Sequence, residues 1–334
     1  MDVVSDNISK KRENVPSPRE YKLVYIKIVI YTIIHIGGSY GAYLFFTKAK
    51  WQTCFFAYLI YVLTTMSVTA GVHRLWTHRA YKAKLPLQLI LMFFYTMGFQ
   101  DSIITWVRDH RGHHKFSDTD ADPHNSRRGF FFSHIGWQMV RKHPDVITKG
   151  QTIDLSDLWN DPLVRFQHRY YVPLALVIAM LIPTCIPVLW GEKASVAFVV
   201  AVLFRMMFTL HITFLVNSAA HKWGDKPYDS NIPPGEISFI SFLTVGEGFH
   251  NFHHTFPWDY RAAELGGYCF NWTRLFLDFM AKIGWAYDLK AATEDMIESR
   301  VKRTGDGSHP VWGWGDKDML LEDKQALLNY LSSS

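Results

Sequence analysis

Eight of the sixteen histidines fall into three tight groups: His73-x4-His78 (HRLWTH), His110-x2-His113-His114 (HRGHH) and His250-x2-His253-His254 (HNFHH). On an α-helix, positions i, i+3 and i+4 share a face. Each HxxHH group therefore aims three imidazoles at one point, and the two groups supply six nitrogen ligands. His73 and His78 are separated by about 140° of helical turn, which fits best where a helix ends and the chain loosens. A ninth candidate is His221 in Asn217-Ser-Ala-Ala-His221, whose four-residue spacing puts Asn217 and His221 on one face. So many imidazoles exceed the needs of one metal and point to a two-metal site. Imidazole suits zinc, copper, iron and nickel alike, so ligand type leaves the metal open. A closed tetrahedral zinc site needs four ligands, and nine exceed two such sites. The remaining histidines (His35, His124, His134, His143, His168, His211 and His309) read as core or surface residues, although His211 and Arg205 lie in an apolar run, where polar groups are often functional.

These groups must be held by the elements around them. The 334 residues are 49% hydrophobic and 16% aromatic yet keep many charges, which predicts a chain partly in lipid and partly in water. A spanning helix needs about 20 mostly apolar residues. Leu23–Phe46, Thr53–Val72, Tyr171–Trp190 and Ala194–Val216 meet that requirement and pair into two hairpins. Pro173, Pro183 and Pro187 are expected to bend the third, which neighbouring helices tolerate. Residues 73–170 carry fourteen Lys and Arg, against Lys48, Lys50 and Lys193 in the two short connections. The positive-inside rule then puts the long segments and both termini in the cytosol. A fifth apolar run, Leu85–Thr105, reads as an amphipathic or half-buried helix, because a span there would separate the histidine groups. The sequons at Asn7 and Asn271 would then face the cytosol and stay unglycosylated. Three distant cysteines imply neither disulfides nor a cysteine-bound metal. The net charge of +5 suits a surface facing anionic headgroups and calls for no nucleic acid. With no linker or repeat, the expected organisation is a tail (1–22), one membrane domain (23–319) and a C-terminal tail (320–334).

HRLWTH, HRGHH and HNFHH, with NSAAHKWG between the last two, resemble the histidine boxes of the membrane acyl-CoA desaturases, the family of stearoyl-CoA desaturase. VTAG before His73, DTDADPH after the second box and GEGFHNFHHTFPWDYR around the third match as well, and the details look most like insect enzymes of the moth pheromone type. The resemblance implies an all-α fold: four transmembrane helices under a cytosolic helical cap, with a bent acyl tunnel beneath the metals. It implies two irons held by His73, His78, His110, His113, His114, His221, His250, His253 and His254, with Asn217 holding a metal-bound water. Fatty acyl-CoA and O2 are then the substrates, cytochrome b5 and its NADH-dependent reductase the electron donors, and the endoplasmic reticulum membrane the location. No HPGG haem motif is present, so the donor is expected to be a separate protein.

Residue by residue, Arg108, Asp109, Arg141 and Lys142 match the CoA end, where cations suit phosphates, and Gln100, Trp106 and Phe214 match the tunnel lining. Asp101 and Lys27 replace the Asn of many relatives. Tyr61 and Thr65, one helical turn apart on the span leading to His73, are placed to close the far end of the tunnel. Removing hydrogen from an unactivated methylene needs an oxidant that side chains lack and a metal cofactor supplies. The moth-like details favour a Δ11 over a Δ9 double bond, leaving chain length and geometry open. Two other readings use the same residues: a di-iron fatty acyl hydroxylase, and a non-catalytic metal transporter or sensor, which predicts histidines strung deep along the spans.

Overall fold

In lipid the backbone must satisfy its own polar groups, so apolar runs of this length fold as helices. The computed structural model describes residues 21–313, 319–323, 325, 326 and 329. Most of the tail expected at 1–22, with the Asn7 sequon, and most of the tail at 320–334 lie outside the described residues. Four helices are long and apolar enough to cross a membrane: α1 (Tyr25–Thr47), α2 (Trp51–Thr77), α5 (Tyr171–Trp190) and α6 (Ala194–Ser218). The chain is thus a multi-pass membrane protein. At 1.5 Å per residue α2 would reach about 40 Å, some 10 Å beyond the hydrocarbon thickness. Its last turns therefore emerge from the apolar layer, and they carry His73.

The helix α2 runs past its expected end at Val72, and from Ser67 to Thr77 it widens into π-helical turns. Its N-terminus is tied to the second hairpin by buried Glu192, whose carboxylate accepts from the Lys50 N–H and the Thr53 hydroxyl at 2.9 Å each. The helices α1 and α6 approach closely along Gly37, Gly38 and Gly41. A Cβ on Gly41 would stand 2.4 Å from the Val199 carbonyl oxygen, so only glycine fits there.

The run 85–105 does not form one helix. It divides into α3 (Leu85–Met97), too short to span, and α4 (Ile103–Phe116), which Ser102 caps by accepting from the Thr105 N–H. The break holds two non-glycine residues in the left-handed region, Phe99 (φ 57°) and Asp101 (φ 72°). Arg205, buried inside α6, secures it by donating to the Met97 carbonyl at 2.8 Å. The half-buried reading of α3 holds: Leu87 and Leu91 are buried while Leu89 and Ile90 are exposed. Its inner face packs with Val72, Trp76, Ile103 and Leu277. The last of these belongs to the cap, which includes α7 (His250–Thr255), α8 (Trp272–Lys282) and α9 (Glu294–Thr304). Strand pairing among the described residues is confined to Lys82–Ala83 against Ala286–Tyr287 and a few isolated bridges. The fold is all-α.

Candidate metal centre

The three histidine groups converge where α2, α4 and α7 meet above the membrane helices. In α2 the π-helical hydrogen bond from the His78 N–H to the His73 carbonyl, 3.1 Å, closes a five-residue turn. That turn sets the two rings edge to face with centroids 4.8 Å apart, so a wider helix rather than an unwound end brings the pair together. The other two groups lie on helical turns, as their spacing requires. His221 departs from its expectation: α6 stops at Ser218, and His221 stands in the turn that follows, not on the helix face of Asn217.

The nine imidazoles divide into two clusters. His73, His78, His110, His114 and His253 form one, and His113, His221, His250 and His254 the other, with the ligand atoms of each cluster within 4.8 Å of one another. Ring nitrogens meet face to face: His73 Nε2 is 2.9 Å from His253 Nε2, and His253 Nε2 is 3.0 Å from His114 Nε2. In the second cluster His254 Nε2 lies 3.3 Å from that of His113 and 3.1 Å from that of His250, which is 3.1 Å from His221 Nε2.

Carboxylates outside the clusters fix which nitrogens carry hydrogen. His113 Nδ1 donates to Asp122 at 2.8 Å and His221 Nδ1 to Asp118 at 3.1 Å, so the Nε2 of both rings is a bare lone pair. His73 Nδ1 lies 2.9 Å from the Glu247 carboxylate. With His113 and His221 as fixed acceptors, His254 and His250 must donate to them, which leaves the His254–His250 contact with two hydrogens facing each other. No set of neutral tautomers satisfies all three contacts. A cation accepts all four lone pairs at once, so the residues fit a metal. In the first cluster the buried Nε2 atoms of His78 and His110 lack a hydrogen-bond partner among the described residues, consistent with the same demand.

Burial, then the neighbouring imidazoles, pushes His110, His114, His250, His253 and His254 well below the ordinary histidine value. Neutral imidazole is the form that binds metal. Burial works to raise the Asp122 carboxyl, but the His113 and His124 rings hold it at about 2. Asp118 is likewise held below the usual carboxylate range despite burial, chiefly by its hydrogen bond from His221. Both carboxylates therefore stay ionised, orient their rings and offset the charge of a bound cation.

The intervening box residues lock the arrangement. Arg74, buried, donates to Glu247 at 2.9 Å and to the carbonyls of Gly246, Tyr260 and Arg261. Arg111 donates to the Trp76 and Thr77 carbonyls at the end of α2 and to Asp157, joining the first box to the second. Asn251 accepts from the Tyr228 and Asp229 N–H groups beneath α7.

A cavity of about 490 Å³ opens beside the clusters and reaches His73 and His110 of one and His250 of the other. Ile30, Ile34, Val68 and Leu210 give it apolar walls, and Lys27, Arg108, Asp109 and Lys142 a charged mouth. Gln100, Trp106, Phe214 and Asn217 line it, with Gln100 donating to Thr213 at 3.1 Å and Trp106 stacked on His110 at 4.6 Å. At the mouth Asp109 is held between Arg108, 3.1 Å away, and Lys142. Three expected contacts do not line this cavity. Arg141 is exposed and outside the lining, its backbone N–H donating to the Lys22 carbonyl. Tyr61 points toward the cap, its hydroxyl donating to the Leu243 carbonyl at 2.5 Å, and Thr65 is buried one turn short of Val68 and Thr69, which form the wall on α2.

Asp118, Asp122, Glu247 and His124 escaped the reading of the histidines. The signal was present in Asp118-Thr-Asp-Ala-Asp122-Pro-His124, directly after the second box, and in Glu247 three residues before the third. His124 lines the cavity, its ring 4.3 Å from that of His113 and its Nδ1 3.6 Å from Asp122.

Comparison with known proteins agrees with this architecture. The fatty acid desaturase family model matches residues 49–265. An acyl-CoA Delta-9 desaturase of Acheta domesticus is 56% identical over 92% of this chain and 86% of its own length. An acyl-CoA Delta(11) desaturase of Trichoplusia ni is 55% identical over 91% of this chain and 87% of its own. A (11Z)-hexadec-11-enoyl-CoA conjugase of Bombyx mori is 52% identical over 88% of this chain and 89% of its own. A family match across more than half of the 334 residues, on a chain whose buried imidazoles form two metal-sized clusters, makes this protein a member of the fatty acid desaturase family.

Proposed function

We propose that the protein is an acyl-CoA desaturase, which introduces a double bond into a saturated fatty acyl-CoA with O2 as oxidant and electrons from cytochrome b5 and its NADH-dependent reductase. The observation that carries this reading is the contact between two lone-pair-lined clusters and one apolar cavity with a charged mouth. His73, His78, His110, His114 and His253 would hold one iron and His113, His221, His250 and His254 a second, and the pair would supply the oxidising chemistry that side chains lack. Asn217, which lines the cavity with His250, would hold a water beside the second cluster.

The chain's own residues then position the substrate. Arg108 and Lys142 take the phosphates of CoA, Asp109 holding both cations at the mouth. The acyl chain passes Gln100 and lies against Trp106, whose stacking on His110 fixes the distance between cavity wall and centre. Which carbons meet the centre depends on the length from mouth to clusters, so a shift of one or two methylenes changes the product. Relatives carrying Delta-9, Delta(11) and Delta-12 names support the reaction without choosing the position. The protein acts in the endoplasmic reticulum membrane with both termini cytosolic, in making unsaturated fatty acids or pheromone precursors.

Expression in a desaturase-deficient yeast, with mass-spectrometric location of the double bond, tests the reading. New monounsaturated acyl chains are expected at a single position, Δ9 or Δ11. Hydroxylated chains would replace the desaturase with a hydroxylase, and unchanged lipids alongside abundant protein would overturn the oxidase reading.

A further inference from the structure

Several buried polar atoms on residues that line the cavity meet no hydrogen-bond partner among the described residues. Those of His110 and His250 belong to the metal centre, and His124 Nδ1 stands 3.6 Å from Asp122. Trp137 Nε1 belongs to neither cluster, and its N–H is buried without an acceptor. An indole N–H can only donate, and leaving such a donor unmet away from water is costly. Other polar side chains of the lining answer one another: Gln100 donates to Thr213 at 3.1 Å, Thr213 to the Thr209 carbonyl at 3.0 Å, and Lys27 to Gln138 at 3.2 Å. What fills the cavity is therefore the source of an acceptor for Trp137.

The indole stands between the charged mouth and the metal centre. On one side, the next residue in the chain is Gln138, which is bound to Lys27 of the mouth. On the other, the indole meets the His124 ring edge to face at 5.4 Å, and the His124 ring lies 4.3 Å from that of His113 in the second cluster. Phe214 packs edge to face against the indole at 6.1 Å. The short helical turn Trp137–Met139 is pinned to the start of α1, since the Val24 N–H donates to the Met139 carbonyl and the Arg141 N–H to the Lys22 carbonyl, 2.8 Å each. Trp137 is thus held at a set place in the cavity wall.

We propose that the Trp137 indole donates to the thioester carbonyl oxygen of the bound acyl-CoA and so fixes how far the thioester sits from the metal centre. The proposal deepens the acyl-CoA reading and rests on it. The phosphates stay with the cations at the mouth, and the methylenes beyond the thioester carry no acceptor. The thioester oxygen is therefore the innermost polar atom of the substrate, and the one that reaches a donor lying between mouth and clusters. The cations hold the CoA end through a flexible arm, which leaves the acyl chain free to slide. A hydrogen bond at the first carbon removes that freedom, so the same carbons meet the centre in each turnover.

The test is calorimetric binding, by the purified full-length protein, of palmitoyl-CoA and of S-hexadecyl-CoA, the thioether with the same chain and no carbonyl oxygen. The wild type should bind the thioester roughly two- to tenfold more tightly, the equivalent of one neutral hydrogen bond. Trp137→Phe loses indole area, which weakens both ligands alike, and loses the N–H, so the preference for the thioester should vanish. A preference retained in Trp137→Phe would overturn the proposal, as would equal binding of the two ligands by the wild type. If Trp137→Phe does not accumulate, benzothienylalanine at position 137 keeps the shape of the indole without its N–H and is read the same way. In turnover the variant should also spread the double bond over neighbouring positions, and a single unchanged position would contradict the anchoring role. Failure of the wild type to bind either ligand would instead remove the acyl-CoA reading, and the anchor with it.

Discussion

Each ring that lines the centre has two nitrogens, and the second decides what the first can do. Asp122 takes the Nδ1 hydrogen of His113 and so leaves Nε2 bare, which makes a carboxylate outside the cluster a determinant of metal binding. Replacing Asp122 with Asn keeps the shape but removes the charge. Metal affinity should fall roughly 10- to 100-fold, the usual consequence of losing such a partner, as measured by competition with a chelator, while the amount of folded protein stays unchanged. The imidazoles were legible in the sequence because helical spacing alone aims them. Asp118 and Glu247 were not singled out, because their relation to His221 and His73 is tertiary: residues 103 and 174 positions apart meet only in the fold. His124, read as an ordinary histidine, meets His113 through the turn after α4, which no periodicity encodes.

At the scale of elements, the short helix α7 is held by a buried carboxyl. Glu236 Oε1 accepts from the Phe252 N–H at 2.7 Å, and Oε2 is buried without a partner among the described residues. Burial above all, then Glu264 and Asp225, pushes this carboxyl up to about 8, against the backbone hydrogen bonds that lower it. Between the ordinary value of 4.5 and about 8 the folded protein therefore holds a proton that the unfolded chain has released. Stability accordingly falls as pH rises through that window and is lowest above it. Thermal unfolding in detergent from pH 5 to 9 should show this slope in the wild type and a weaker one in Glu236→Gln. The helices themselves were mostly legible, since an apolar run of span length has one outcome in lipid. Two details were not. The π-helical end of α2 leaves no mark in the apolar pattern, and the break after Met97 depends on Arg205, whose guanidinium reaches a carbonyl 108 positions away.

For the whole molecule, four spanning helices return the chain to its starting side, and the emerging ends of α2 and α6 place the histidines there too. Tags at both termini should be digested by protease added to sealed microsomes, and Asn271 should remain unglycosylated. One protected terminus would mean that the number of spans is odd, with α3 the first segment to suspect. Histidines strung along the spans would have suggested a transport path, but the nine clustered rings gather at one end and only His35 and His211 lie deep in the spans. What those nine rings hold decides the chemistry of the molecule. The metal content of purified full-length protein, expressed in iron-replete cells and measured by mass spectrometry, is the direct test. Two irons per chain are expected, with both lost together from His113→Ala, since His113 and His114 carry the two clusters on one turn of α4. Zinc at that stoichiometry, or a single metal of any kind, would contradict the di-iron centre.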